Sequence, residues 1–203
     1  MVSELIPKII HQIWLGPKTP PNWCINSWRN NYLLKYPDWE YKLWTENEIK
    51  NMKLKTHDIF KKEETWRGKA DILRYEILYN EGGIFIDADS FSLNKNLEEL
   101  IIDSKDYNLF VGKEPNDNVD YANGVIGCKK HSIEMLNLIN YLNQNYNELL
   151  KKHPKKYDVW LRTGPVVMNK IIKKNIKIYP SNYFYPEGFI KNNIKKDFTK
   201  FKD

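Results

Sequence analysis

Two aspartates one residue apart, Asp87 and Asp89, are the residues of this 203-residue chain whose type and spacing most directly suggest chemistry. If the backbone stays extended from 87 to 89, both carboxylates point to the same side, because side chains at i and i+2 of an extended chain share a face. Two carboxylates held close together repel each other unless a cation or a proton lies between them. Carboxylate oxygens suit hard divalent ions such as Mg²⁺ or Mn²⁺. The pair therefore predicts an ion held against a phosphate-bearing ligand.

A D-x-D triplet alone is also typical of a turn or a helix cap, so the segments before it carry weight. Residues 84–86 (Ile-Phe-Ile) show no polar alternation, which favours a central strand covered on both faces. In open α/β sheets the ligand site lies beyond the carboxyl ends of such strands. The preceding segment, 68–80, predicts a helix that ends at a Gly-Gly pair. Its Asp71 and Arg74 share one face, either as a surface ion pair or as a pair that binds the hydroxyl groups of a polar substrate.

Strand-like and helix-like segments alternate along the chain. Apolar, β-rich runs predict strands at 8–16, 39–45, 84–87, 107–112, 124–129 and within 176–186, the last followed by an aromatic loop. Helical patterns cover 22–35 with Asn22 as its cap, a short helix that begins with the capping box at Thr45, then 68–80, 95–102, 131–150 and 163–172. In the long helix at 131–150 the expected core stripe is Ile133, Leu136, Ile139, Leu142, Tyr146 and Leu149. This alternation predicts an α/β fold with a mainly parallel sheet.

The composition is that of a globular protein, with 41% hydrophobic residues and a net charge of +6 carried by 28 lysines and only 4 arginines. Proteins that read nucleic acids usually use arginine for bidentate contacts, so no nucleic-acid partner is predicted. The lysine clusters near 151–156, 173–174 and 195–196 are typical of solvated faces, while contact with a polyanion or a membrane surface stays open. Because no signal peptide and no apolar run of 18 residues is found, we expect a soluble, cytoplasmic protein.

Five segments, in order along the chain, resemble glycosyltransferase family 32, which includes the initiating α-1,6-mannosyltransferases of yeast and many bacterial capsule and viral sugar transferases. The segments are 6–16 (IPKIIHQIWLG), 27–48 (SWRNNYLLKYPDWEYKLWTENE), 70–89 (ADILRYEILYNEGGIFIDAD), 123–136 (NGVIGCKKHSIEML) and 163–169 (TGPVVMN). The string A-D-x-x-R-Y…G-G-x-x-x-D-x-D in the third segment is highly specific.

The resemblance implies a GT-A fold, a Rossmann-like nucleotide-binding domain, and a retaining sugar transfer from a UDP- or GDP-linked donor to a glycan or other hydroxyl acceptor. Carried over by position, Asp87 and Asp89 would bind Mn²⁺ or Mg²⁺ with the ribose and diphosphate of the donor, and Asp89 would be the direct metal ligand. Asp71 and Arg74 would hold the donor sugar, with Arg74 also near the leaving diphosphate. No carboxylate in the sequence stands out as a nucleophile, so attack from the leaving-group face is the expected route to retention.

Three further positions follow from the same resemblance. Trp14 would pack against the nucleotide base, although a place in the core is a rival interpretation. Asn123 would contact the donor or the acceptor, and His11, with apolar strand neighbours, is expected to be structural. Residues 1–203 would form a single domain, in which 1–130 bind the nucleotide sugar and 131–203 form the acceptor side.

One part of the family pattern is missing. Family members carry a C-terminal segment with His and Trp that closes the donor site and often completes the metal shell, whereas this chain ends in KKDFTKFKD and its four histidines lie at or before His153. A truncated chain, a compact variant that uses water as the missing ligands, and a weakened enzyme are the alternatives. A catalytically weak module that binds sugar nucleotides or glycans therefore stays open as a second function, and a D-x-D phosphohydrolase or nuclease as a third.

Overall fold

The centre of the molecule is a six-stranded mixed sheet, seen in a computed structural model that describes residues 4–93, 95–115 and 119–185. The strands are β1 (Ile9–Ile13), β2 (Glu40–Trp44), β3 (Gly83–Ile86), β4 (Leu109–Lys113), β5 (Tyr121–Cys128) and β6 (Ile176–Tyr179), in the spatial order β2-β1-β3-β5-β4-β6. β1 pairs in parallel with β2 and β3, and β4 pairs in parallel with β6, whereas β5 is antiparallel to both of its neighbours. The predicted α/β fold with a mainly parallel sheet is confirmed.

Helices cover both faces of this sheet. They are α1 (Asn22–Asn26), a π-helical segment (Ser27–Tyr32), α2 (Leu33–Lys35), α3 (Glu46–Ile49), α4 (His57–Lys62), α5 (Trp66–Glu81), α6 (Glu98–Asp103), α7 (Ile133–Lys152), α8 (Val159–Arg162) and α9 (Pro165–Ile171). Single 3₁₀ turns lie at Lys156–Asp158 and Ser181–Tyr183. The sequence patterns did not predict α4 or α8, which lie in lysine-rich stretches without a strong apolar period.

The helical stretch at 22–35 begins one residue earlier than its predicted cap implies. Pro21 occupies the capping position, and Asn22 is the first helical residue without a side-chain cap. The carbonyl of Pro21 accepts the first helical hydrogen bonds from the N–H groups of Cys24 and Ile25, so the prediction that Asn22 caps the helix is wrong. The capping box at Thr45, in contrast, is present, with Glu48 bonded back to the Thr45 N–H at 2.9 Å.

Two apolar clusters sandwich the sheet, and β3 contributes to both of them. Phe85 packs into the cluster under α5, α7 and α9, while Ile84 and Ile86 pack into the cluster under the helical stretch 22–35 and α6. All four β3 residues are buried, as the unbroken apolar run predicts for a central strand.

The long helix α7 buries a stripe slightly different from the predicted one. Ile139, Leu142 and Tyr146 are buried as expected, but Ile133 in the first turn is 53% exposed, and Met135 and Leu138 take part in the core instead. None of the helices in the described ranges is long and apolar enough to cross a membrane. Cys24 and Cys128 are both buried free thiols.

Candidate active site

Helix α5 and strand β3 position the central side chains of the site. Thr65 caps the helix by accepting a 3.0 Å hydrogen bond from the N–H of Gly68, and Gly82 ends it with a φ of +69°. The rise along α5 from Arg74 to the helix end is about 10 Å. The rise along the strand from the start of β3 to Asp87 is about 13 Å. Because the chain reverses at the glycines, Arg74 and Asp87 reach the same level, at the carboxyl edge of the parallel strands.

Arg74 of α5 connects the end of β3 with β5 at this edge of the sheet. Its Nη2 donates to Asp87 Oδ1 at 3.0 Å, and its Nη1 donates to the backbone carbonyl of Asn123. The guanidinium also lies over the ring of Phe85, 4.0 Å from the ring centroid. Burial disfavours its charge, but Asp87 and Asp71 outweigh that effect and raise the pKa of Arg74. A fixed, buried cation therefore stands beside the D-x-D segment.

Asp71 is buried, and both of its carboxylate oxygens accept hydrogen bonds. Asn123 Nδ2 donates to Oδ1 at 3.0 Å, and Thr163 Oγ1 donates to Oδ2 at 3.1 Å. Arg74 Nη2 lies 3.6 Å from Oδ1. Burial raises the pKa of Asp71, while Arg74 opposes this shift. The predicted site residues Asp71, Arg74, Asp87 and Asn123 thus form one connected network.

The D-x-D segment itself is a turn. The N–H of Asp87 still bonds to the carbonyl of Gly124 at 2.9 Å, but the Ser90 N–H then bonds back to the carbonyl of Asp87 at 3.0 Å. The expectation that an extended backbone aligns Asp87 and Asp89 is therefore wrong, because β3 ends at Ile86 and the chain folds over itself. The two carboxylates still influence each other: burial raises the pKa of Asp87 to about 6, Arg74 opposes the shift, and the Asp89 charge adds to it.

The carboxylates fit a divalent ion that shares its ligands with a substrate. Asp89 is exposed, and the Asp87 side chain keeps 43% of its surface accessible. Within 4–93, 95–115 and 119–185, no group of three or more His, Cys, Asp or Glu side chains converges on one point. Mg²⁺ is usually held by one or two carboxylates together with substrate phosphates and water, so Asp87 and Asp89 would be the protein ligands of such an ion.

A family model described as the glycosyltransferase sugar-binding region containing a DXD motif matches residues 21–108, which include α5, β3 and both aspartates of the turn. The match therefore covers the segment on which the resemblance of this chain to glycosyltransferases depends. The resemblance to glycosyltransferase family 32 is thereby confirmed. Among the relatives, inositol phosphoceramide mannosyltransferase 2 of Schizosaccharomyces pombe is 28% identical over 184 residues, covering 88% of this chain and 50% of that protein. The chain thus spans about half the length of this relative.

Two solved structures share the fold. The PaToxG glycosyltransferase has a TM-score of 0.58 and 18% identity, covering 83% of this chain and 69% of that one. The UDP-bound glycosyltransferase domain from the YGT toxin also has a TM-score of 0.58, at 11% identity, covering 91% of this chain and 82% of that one. These neighbours confirm the GT-A fold of the chain.

His11 lies in β1, and Trp14 directly follows the last residue of that strand. Trp14 is half-buried at the carboxyl end of β1, outside both apolar clusters, and its indole N–H donates to the Lys18 carbonyl at 2.8 Å. Its predicted contact with a nucleotide base stays a prediction. His11 is fully buried, accepts a 3.1 Å hydrogen bond from Trp44 Nε1 and lies 2.8 Å from the Gly82 carbonyl. Burial lowers its pKa to about 4, in agreement with a structural histidine.

Several residues of the site were not singled out from the sequence. Thr163 bonds to Asp71, and Gln12 donates to the Asp87 carbonyl at 3.1 Å. Thr163 begins the segment 163–169 that resembles glycosyltransferase family 32, so a signal was available for it. Gln12 lies two residues before Trp14. Tyr185 also lies near Asp87, with both side chains close to Gly124, but no motif surrounds it.

Proposed function

We propose that this protein is a glycosyltransferase that moves a sugar from a UDP- or GDP-linked donor to a hydroxyl group of a glycan or another acceptor, with Mn²⁺ or Mg²⁺ bound. One observation carries the proposal: Asp71, Arg74, Asn123 and Asp87 are fixed by mutual contacts at the carboxyl edge of the sheet, with Asp89 exposed beside them. The match to the DXD family model supports it, because residues 21–108 include Asp71, Arg74, Asp87 and Asp89.

The charges of the site match what sugar transfer requires. When the bond between the sugar and the phosphate breaks, negative charge grows on the nucleoside diphosphate, and Arg74 supplies a preorganised cation for it. Its buried contacts with Asp87 and Asn123 hold the guanidinium in place, so little reorganisation is needed during the reaction. A divalent ion at Asp87 and Asp89 would act as a Lewis acid on the diphosphate.

The hydrogen bonding of the carboxylates supports a front-face route to retention of configuration. A double displacement needs a free carboxylate as nucleophile. Both oxygens of Asp71 already accept hydrogen bonds, and Asp87 Oδ1 is paired with Arg74. Asp71 is thereby restrained in a binding role, and Asp87 is paired with the Arg74 cation. We propose that the acceptor attacks from the side of the leaving diphosphate.

We also propose that the two parts of the chain bind different substrates. Residues 1–130 contribute Asp71, Arg74, Asn123 and the D-x-D turn, and would bind the nucleotide sugar. Residues 131–203 would form the acceptor side. The name of the Schizosaccharomyces pombe relative makes mannose the first sugar to test and a lipid-linked inositol the first acceptor.

A sugar-nucleotide-binding module with weak turnover is the second candidate. The observation that favours it is the small number of protein ligands, because among the described residues no group of three or more acidic, His or Cys side chains is placed to hold an ion. Such a module would bind the nucleotide sugar but would neither hydrolyse nor transfer it.

Thermal unfolding with a panel of UDP-, GDP- and CMP-sugars, each with and without Mn²⁺, tests the proposal. A ligand at one hundred times its Kd adds about 2.7 kcal/mol to the free energy of unfolding, which raises Tm by roughly 5–10 °C for a chain of this size. We expect this rise for one nucleotide class and only with Mn²⁺. The absence of a Mn²⁺-dependent rise with every nucleotide would contradict the proposal.

Donor hydrolysis then separates the enzyme from the binding module. The double substitution Asp87→Asn, Asp89→Asn should abolish hydrolysis, whereas Asp106→Asn, at an exposed position after α6, is the matched control. Hydrolysis that survives in the double variant would refute the assignment of the D-x-D turn. Binding without hydrolysis or transfer in the wild-type protein would favour the module.

A further inference from the structure

The aromatic segment after β6 reaches into the candidate active site. Tyr185 lies near Asp87, since both side chains approach Gly124. The described part of the chain has four buried side-chain polar atoms without a hydrogen-bond partner, and two of them, the Tyr185 hydroxyl and Arg74 Nε, belong to residues beside Asp87. Buried polar groups without a partner are rare in folded proteins, so two at one place indicate an absent ligand.

Two glycines make room for this aromatic segment. A Cβ on Gly112 of β4 would lie 2.7 Å from the Phe184 ring and 2.9 Å from the Tyr185 ring. A Cβ on Gly124 of β5 would lie 2.7 Å from Asp87 Oδ2 and 3.3 Å from the Tyr185 hydroxyl oxygen. The phenol therefore crosses β4 and β5, and its hydroxyl and the Asp87 carboxylate both approach Gly124, where a side chain would collide with them.

The hydroxyl of Tyr185 is a hydrogen-bond donor without an acceptor. A tyrosine phenol carries its proton at neutral pH, and burial raises the pKa of Tyr185 further. The Val125 backbone lowers this pKa, which is the direction that a nearby N–H donor gives, but the hydroxyl makes no hydrogen bond of regular geometry. A backbone N–H cannot accept a hydrogen bond from the phenol O–H. The phenol proton is therefore available to an acceptor that is absent from the structure.

Asp87 supplies the complementary half of the pair. Its Oδ1 is occupied by Arg74, and no hydrogen bond from the described residues reaches Oδ2, the oxygen beside Tyr185. A sugar hydroxyl donates one hydrogen bond and accepts others, so it satisfies a carboxylate and a phenol at the same time. A phosphate oxygen can only accept, so it could pair with the phenol but not directly with the carboxylate. Because a carboxylate has about four acceptor sites, Asp87 can accept from Arg74 and from a sugar hydroxyl and still contribute to an ion held with Asp89.

We propose that Tyr185 is a specificity-determining residue, whose hydroxyl donates a hydrogen bond to a hydroxyl of the transferred sugar while Asp87 Oδ2 accepts from that same group. This inference rests on the proposed function and deepens it, because it assigns the sugar moiety rather than the nucleotide to the space between these two side chains. The ring of Tyr185, beside Gly112, fixes the position of the hydroxyl, and the hydroxyl forms the hydrogen bond to the sugar.

Calorimetric binding to the full chain in Mn²⁺ tests the proposal with Tyr185→Phe, which keeps the ring over Gly112. The probes are UDP-glucose and GDP-mannose, each compared with UDP or GDP alone. Loss of one hydrogen bond should raise the Kd of the bound nucleotide sugar about 3- to 10-fold and leave that of the bare nucleotide unchanged. Tyr183→Phe, at a ring that is 59% exposed, is the matched control and should bind both as the wild type does.

The remaining outcomes separate this proposal from the proposed function. An unchanged Kd for the nucleotide sugar, or an equal loss for nucleotide and nucleotide sugar, would overturn the role of Tyr185 and leave the glycosyltransferase proposal standing. A wild-type protein that binds none of the four probes would overturn both. Tm should not fall in Tyr185→Phe, because the substitution removes a buried group that has no partner, and a lower Tm would indicate a purely structural hydroxyl.

Discussion

Arg74 bonds to Asp87 and to the Asn123 carbonyl, and lies 3.6 Å from Asp71. These contacts use the planar, forked shape of a guanidinium, which presents several N–H groups in fixed directions. A lysine at this position keeps the charge, but it is a point donor on a flexible stem and cannot hold Asp87 and the carbonyl at the same time. The shape of Arg74, and not only its charge, therefore fixes the site.

Arg74→Lys is expected to lower kcat of donor hydrolysis by about 10²- to 10³-fold, the effect of removing one preorganised group that stabilises developing charge. Arg67→Lys, on the exposed side of the same helix, is the matched control for the loss of a guanidinium. Steady-state kinetics of both variants measure the effect. A wild-type kcat in Arg74→Lys would show that Arg74 only ties β3 to α5.

The sequence predicted which residues of α5 and β3 lie close together. It did not predict the backbone conformation that holds them. The spacing of Asp71 and Arg74 on a helix and the apolar run before Asp87 are local patterns, and the structure places all three side chains in one network. The turn at 87–90 was not predicted, because Asp-Ala-Asp is compatible with both an extended chain and a turn. Tyr185 reaches Asp87 across 98 residues of sequence, and no local pattern encodes such a contact.

Among the secondary-structure elements, α8 is attached by a buried ion pair to Glu63, which lies between α4 and α5. Arg162 donates two 3.0 Å hydrogen bonds to Glu63, one from Nε and one from Nη2. Thr65 and Tyr146 donate to the same carboxylate, and Arg162 Nη1 bonds to two backbone carbonyls. Burial raises the pKa of Glu63, but Arg162 and the other donors outweigh this and lower it. Because Thr163 follows Arg162 directly, this pair also positions the hydroxyl that bonds to Asp71.

Arg162→Met should therefore lower the free energy of unfolding by about 3–5 kcal/mol, since it leaves Glu63 buried and charged without its partner. Urea denaturation measures this change. Adding Glu63→Gln to the same chain should recover part of the loss, because the unpaired charge is then removed. Lys8→Met, at an exposed pair with Asp38, is the control and should have little effect. Equal losses in the two single variants would contradict the account of a buried, hydrogen-bonded pair.

Elements with strong local signals were predicted well, and elements held mainly by tertiary contacts were not. Helix α5 carries a cap, an apolar period and a terminating glycine, and it lies at Trp66–Glu81 against a prediction of 68–80. Helix α8 is only four residues long, and its place depends on the contact of Arg162 with Glu63, 99 residues away. The π-helical segment Ser27–Tyr32 likewise has no local signal, and packing of Trp28 and Tyr32 into the core accompanies it.

At the scale of the whole molecule, His11 joins three parts of the fold inside the sheet. It lies in β1, accepts a hydrogen bond from Trp44 of β2, and faces the Gly82 carbonyl at the end of α5. A neutral ring satisfies both contacts when Nδ1 accepts and the Nε2–H donates. A second proton on Nδ1 would oppose the Trp44 N–H, in a place without solvent. Folding and protonation of His11 are consequently coupled.

The sign of this coupling fixes how stability changes with pH. Burial lowers the pKa of His11 to about 4 in the folded protein, whereas an unfolded histidine titrates near about 6.5. Between these values the unfolded chain binds the extra proton, so the contribution of His11 is fully present above about pH 6.5 and is lost as the pH falls towards 4. A difference of this size corresponds to about 3 kcal/mol. Other groups titrate in the same window, and burial raises the pKa of Asp87 with the opposite effect on stability.

Comparison with a variant isolates the histidine from those groups. Urea denaturation of the wild type and of His11→Gln at pH 7.5 and pH 4.5 should show a smaller loss of stability in the variant, because glutamine has no proton to gain. His57→Gln, at the exposed start of α4, is the matched control for the same change of residue type. Parallel losses in wild type and His11→Gln would mean that His11 takes up its proton in the folded protein as well, and that the contacts to Trp44 and Gly82 survive it. A smaller loss in the variant would show that one buried ring, at the junction of β1, β2 and α5, makes the stability of the entire fold sensitive to mild acid.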